Sequence, residues 1–214
     1  MSHPTRHSIH HDEALAQLRS GNGRFAQNVR SIDALASQHR RDALVAGQAP
    51  FAIILSCSDS RVPSELVFDC GLGDLFVVRV AGNIVAPSIV GSVEFAADTF
   101  GTELVVVMGH TRCGAVRAAV NMLAGGARDP SENVCDIVDR IAPAIDDVVR
   151  TIGHDERGIQ AATRANIRAS ANHLRQRSPI LASRIAEGRL VVVGAEYSLE
   201  TGQVDFFDVP PATR

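Results

Sequence analysis

The stretch FAIILSCSDSRV, Phe51 to Val62, opens as a five-residue apolar run and ends as a string of reactive and small polar side chains. A continuous run with two isoleucines, bounded by Pro50 on one side and Ser-Cys-Ser on the other, is the pattern of a strand buried on both faces. Cys57, Asp59 and Arg61 then alternate with serines, which is poor material for a core. The stretch therefore reads as a strand delivering a polar cluster at its carboxyl end.

The same pattern recurs outward from it. Leu75–Val80, Leu104–Met108 and Leu190–Val193 are further short apolar runs. Helical stretches separate them at about Pro63–Phe68, Ser88–Phe100 and Cys113–Leu123, and a long one spans Ser131–Arg177. Apolar strands alternating with helices predict βαβ units, hence an α/β fold with a mainly parallel central sheet flanked by helices. Val204–Phe207, after the Glu200–Gly202 turn, is expected as an antiparallel edge strand. Upstream, residues 1–8 read as a tail. Helical periodicity covers His11–Val29, weakened by Gly21 and Gly23, and again Ile32–Val45, ended by Gly47. Residues 1–47 are thus expected as an N-terminal tail and helical extension outside the sheet, with 48–214 as the α/β core of a single domain.

Composition narrows the function. The net charge is -3, from 21 basic and 24 acidic residues, which offers no electrostatic footprint for nucleic acid. One Tyr and no Trp leave no stacking platform for single strands. No apolar run is long enough to cross a bilayer and no secretory h-region is visible, so the expected location is cytoplasmic. Thiols stay reduced there, which makes Cys57, Cys70, Cys113 and Cys135 metal-binding, catalytic or merely buried rather than disulfide-bonded.

Ligands collect at the carboxyl ends of strands in open α/β sheets. Two polar clusters sit there: CSDSR after FAIILS, and GHTRCG after LVVVM. Together they assemble Cys57, His110 and Cys113, with Asp59 and Arg61 beside them. Two thiolates and an imidazole suit a catalytic zinc with one open position, and the soft donor set favours zinc over magnesium or calcium. Each half alone is weak, since a cysteine after a strand is usually a small buried residue. Cys70 and Cys135 have no ligand-like neighbour and read as structural. The histidines of the tail offer no preorganised site.

The conjunction of C-x-D-x-R with H-x-x-C-G, together with LRSGNGRFA, GQAPFAIILSCSDSRV, GLGDLFVVRVAGN, GSVEFA and YSLETGQVDFF, resembles the β-class carbonic anhydrases over nearly the whole chain. The resemblance implies one zinc per chain, held by Cys57, His110 and Cys113, with Asp59 and Arg61 as a catalytic dyad. It implies reversible hydration of carbon dioxide to bicarbonate by zinc-bound hydroxide, with Gln48 donating a hydrogen bond to bound substrate as in the plant-type branch. Gly114 is expected to lend a backbone N–H or simply to allow a turn. Phe76, Ala81 and Phe95 match the apolar carbon dioxide pocket, which the family often lines from the partner subunit, although all three also suit a core. Val80, where many members have asparagine, and Phe95, where many have tyrosine, depart from the pattern. The resemblance further implies a homodimer or homotetramer whose N-terminal helices reach across the partner, and an open metal position near neutral pH because Gln48 is present. Hydrolysis of carbonyl sulfide or carbon disulfide, and a non-catalytic structural zinc, are the competing readings.

Overall fold

The computed structural model describes residues 9–29 and 37–210. Its centre is a five-stranded sheet in the order β2-β1-β3-β4-β5. The strands are β1 (Ala52–Ser56), β2 (Leu75–Arg79), β3 (Leu104–His110), β4 (Val191–Tyr197) and β5 (Val204–Asp208). The first four run parallel and β5 pairs antiparallel with β4, as the sequence predicts. Every residue of β1 and β3 is buried, which is why both read as unbroken apolar runs.

Among the described residues, two helices, α1 (His11–Ala26) and α2 (Gln38–Leu44), precede the sheet in the chain. Strand pleat divides the core into two faces. Ile54, Val106 and Val193 point to one side, where they meet Ala14, Leu15 and Leu18 of α1 and Val67 of the short helix α3 (Ser64–Val67). Ile53, Leu55, Val105, Val107 and Val192 point to the other. There they meet Val93, Ala96 and Ala97 of α4 (Pro87–Phe100), Ile167, Ala171 and Leu174 of α7 (Glu156–Arg177) and Leu181 of α8 (Pro179–Ala186). Each fully buried isoleucine or leucine contributes about 1.5–3 kcal/mol relative to exposure. A third apolar cluster lies at the carboxyl ends of β1 and β3. It joins Cys57 and Cys113 to Val116, Ala119 and Val120 of α5 (Gly114–Leu123) and to Val138, Ile141 and Ile145 of α6 (Glu132–Ile152).

The structure departs from expectation in detail. α1 runs unbroken through Gly21, because the glycine is needed there: a Cβ would stand 1.9 Å from the Phe68 carbonyl oxygen. The sequence places this segment outside the sheet-forming core, yet Ala14, Leu15 and Leu18 bury against the sheet of their own chain. Of the expected helix over 32–45, residues 32–36 lie outside the described residues, and α2 covers Gln38–Leu44. The long helical region is two helices, α6 and α7, divided at Gly153 (φ 104°), with the Asp155 carboxylate accepting from Gly158 N at 2.9 Å to start α7. Finally, α8 has no counterpart among the expected elements, although Ser178 as cap and Pro179 in the first turn are its start signal.

Candidate metal centre

The parallel pairing of β1 with β3 sets Ser56 beside Met108, so the chain leaves the two strands at neighbouring points. Cys57 follows β1 directly, His110 ends β3, and Cys113 caps the N-terminus of α5. Their ligand atoms all lie within 4.8 Å of one another, and all three residues are buried.

The imidazole is oriented by its own loop. His110 Nδ1 lies 2.9 Å from the Thr111 carbonyl oxygen. A carbonyl only accepts, so Nδ1 carries the proton and Nε2 keeps its lone pair. That Nε2 is fully buried and has no hydrogen-bond partner among the described residues. A buried polar atom without a partner is costly, and here it faces two thiols. The thiols present the same need. Hydrogen bonding from Cys113 is the main cause that draws Cys57 down to about 4, and the backbone N–H groups of Asp59 and Gly82 add to it. The same Cys57–Cys113 contact, then burial, pushes Cys113 up. Two buried thiols this close resist ionising together unless a cation compensates their charge. An orphaned imidazole nitrogen beside two such thiols fits a soft divalent metal.

Asp59 stands just outside this triad. Arg61 donates from Nε to Oδ1 at 2.9 Å and from Nη2 to Oδ2 at 2.7 Å, and its backbone N–H adds a third bond at 3.0 Å. This fork, with the backbone bond, holds the Asp59 carboxyl well below the usual carboxylate range. Asp59 Oδ2 is 3.9 Å from His110 Nε2, close to the triad but beyond hydrogen-bond reach.

Two supporting residues escape a reading of the sequence. Arg79, at the end of β2, donates to the carbonyls of Cys57 at 3.1 Å and Asp59 at 2.7 Å, clamping the loop between them. An arginine closing the apolar strand LFVVR is the available signal. Asn166 of α7 donates to the Gly82 carbonyl at 2.8 Å, and Gly82 N donates to Cys57 Sγ at 3.4 Å. Gly82 has φ 68°, and a Cβ there would sit 2.8 Å from Ile141 Cδ1 and 3.0 Å from Ala115 Cβ. Nothing in a helical asparagine marks it as buried, so this relay has no signature in the sequence.

The remaining candidates divide. Ala81 adjoins Gly82 in the 3-10 turn Ala81–Asn83, beside the thiols. Gly114 is exposed at the start of α5 and faces open space. Gln48 is exposed and precedes β1, so the whole strand, about 17 Å long, separates it from Cys57. Phe76 pairs with Ile53 near the start of β2, about 10 Å before Arg79, and is likewise carried away from its own chain's triad. With Phe95 and Phe100 it forms an aromatic trio, ring centres 5.9–6.2 Å apart, in which Phe95 is 54% exposed. Among the described residues, no helix is long and apolar enough to cross a membrane.

A family model described as carbonic anhydrase matches residues 52–204. Carbonic anhydrase 2 of Mycobacterium tuberculosis is 37% identical over 195 residues, covering 89% of each chain. The carbonic anhydrase of Mycolicibacterium smegmatis is 36% identical over 192 residues, covering 90% of this chain and 91% of that one. Among solved structures, the β-carbonic anhydrase CcaA superposes with a TM-score of 0.71 at 26% identity, covering 92% of this chain and 99% of that one. A tetrameric β-carbonic anhydrase of Sordaria macrospora, at 21% identity, shares the fold with a TM-score of 0.73 over 94% of this chain and 98% of its own.

Proposed function

Because the chain belongs to the β-carbonic anhydrase family, we propose that it catalyses the reversible hydration of carbon dioxide to bicarbonate and a proton at the Cys57–His110–Cys113 centre. The observation that carries this reading is the convergence of two thiols and an unpartnered imidazole nitrogen beside a carboxylate locked by an arginine. Cys57, His110 and Cys113 hold one zinc ion. When bound, zinc supplies a Lewis acid that makes water nucleophilic near neutral pH.

Asp59 accepts a hydrogen bond from the reacting water and orients it while staying ionised, and the released proton passes to buffer. Arg61 keeps Asp59 ionised and occupies both carboxylate oxygens, which favours a carboxylate that stays off the metal near neutral pH. A structural zinc would use such a carboxylate as its fourth ligand and needs no arginine fork. Gly114, open at a helix start, offers a backbone N–H to developing negative charge, and Ala81 adds apolar lining.

Gln48, Phe76 and Phe95 serve the site of a neighbouring copy, since β1 and β2 carry Gln48 and Phe76 away from their own and Phe95 packs on Phe76. The working unit is then at least a dimer. Sedimentation of an active monomer contradicts that arrangement. The reduced cytoplasm suits the thiol ligands.

The function is tested by stopped-flow carbon dioxide hydration on zinc-loaded protein across about pH 6.5–9, with Cys57→Ser and Asp59→Asn in parallel. Hydration that rises with pH to a plateau and collapses in both folded variants is the expected result. One tightly held zinc per chain with no hydration at any pH overturns the reading.

A further inference from the structure

Two stretches, LRSGNGRFA and YSLETGQVDFF, contribute nothing to the triad itself, yet the structure ties both to it. The link is the loop His110–Cys113. Arg112 has φ 58°, in the left-handed region that side chains rarely enter, and this turn is what lets Cys113 rejoin His110 after only three residues.

The hairpin between β4 and β5 holds the loop in that shape. Glu200 accepts from Arg112 Nε at 2.6 Å through Oε1 and from Thr111 Oγ1 at 2.8 Å through Oε2. Thr111 N donates to the Tyr197 carbonyl at 3.0 Å, and Thr111 Oγ1 accepts from Leu199 N at 3.0 Å. The Thr111 carbonyl, fixed by these three bonds, is the acceptor that orients His110. The hairpin is anchored in turn by Asn22 of α1. Its Nδ2 donates to the carbonyls of Gly202 at 2.8 Å and Val67 at 3.1 Å, and its Oδ1 accepts from Val204 N at 2.8 Å.

We propose that Thr111 and Glu200 are positioning residues for the metal: the β4–β5 hairpin, through them, sets the His110 ring and the left-handed turn that places Cys113. The inference rests on the zinc reading above. Arg112 and Glu200 are both exposed, and an exposed ion pair contributes little to global stability. The effect therefore falls on the metal and not on the fold.

The test measures zinc affinity by chelator competition in the full chain carrying Thr111→Val, Glu200→Ala or Glu200→Gln, with Glu187→Gln as a remote control. Thr111→Val and Glu200→Ala are expected to bind zinc about 10–100-fold more weakly, as outer-shell partners do. The zinc-free Glu200→Ala form melts close to wild type, and zinc-free Thr111→Val, which also strands the Leu199 N–H, melts only a few degrees lower. Glu200→Gln retains an acceptor for Thr111 and recovers most of the affinity. Cobalt-loaded Thr111→Val shows a shifted visible absorption, reporting altered ligand geometry. Affinities within twofold of wild type in both disruptive variants overturn the proposal, as does a loss that merely tracks a fall in melting temperature. Should Glu200→Ala not fold, the near-isosteric Thr111→Val and Glu200→Gln decide on the same terms. A wild-type chain that binds no zinc instead overturns the metal reading itself.

Discussion

Replacing Asn22 with alanine removes three hydrogen bonds at one stroke, and the structure sets their separate weights. The bond to the Val67 carbonyl is buried, while those to Gly202 and Val204 are partly buried. A buried carbonyl left without its partner costs about 1–3 kcal/mol, and each partly wetted bond about 0.5–1.5 kcal/mol net. The total is about 2–6 kcal/mol, a large share of the roughly 5–15 kcal/mol that holds a domain folded. For a chain of this length each kcal/mol moves the melting temperature by about 2–4 °C, so a fall of about 4–24 °C is expected. Asn22→Asp keeps the acceptor for Val204 N but repels two carbonyls, so it is no rescue and melts at least as low as the alanine variant. The assay is thermal and urea unfolding at fixed protein concentration, with zinc chelated so that lost metal affinity does not enter. A midpoint shift under about 2 °C in Asn22→Ala refutes the reasoning, because it means water replaces all three bonds without cost.

Chelating the metal is expected to abolish carbon dioxide hydration while far-UV circular dichroism persists, since the sheet and its two apolar faces close without any ligand residue. Zinc at about 100 times its dissociation constant restores about 2.7 kcal/mol of stability, and unfolding on chelation alone favours a structural zinc. Arg61→Met releases Asp59 toward the ordinary carboxylate value near 3.9. The wild-type carboxyl is held lower, so its stabilisation is complete above the unfolded value and disappears as pH falls through the folded one. The variant is therefore less stable at pH 7, and the gap narrows below about pH 4; a gap indifferent to pH, read from urea midpoints, contradicts the pairing. Gly82→Ala forces a side chain into the left-handed region at a cost of about 1–2 kcal/mol and shifts the N–H that supports Cys57. Weaker zinc binding by chelator competition is expected, and unchanged binding excludes that support.

The order of elements and the candidate ligand set are legible in the sequence because each rests on local chemistry. FAIILS and LVVVM are buried on both faces, so their apolar runs are unbroken, and a parallel sheet brings the loops after both strands to the same end. Cys57, Asp59, Arg61, His110 and Cys113 all lie within a few residues of those strand ends. The sequence alone therefore determined the type of fold and singled out the three residues that meet at the candidate centre. Tertiary structure decided everything that depends on which distant groups meet. It put Asn166 beneath Gly82, Arg79 across the Cys57 loop and Asn22 under the hairpin, each a polar residue whose partner is a backbone atom far away in sequence. A backbone carbonyl leaves no mark on the identity of its residue, so such pairings have no signature to read. The same holds for Gln48 and Phe76. Their residue types suit a substrate pocket, but the direction and length of β1 and β2 separate them from the triad of their own chain, and only the assembled sheet reveals that distance.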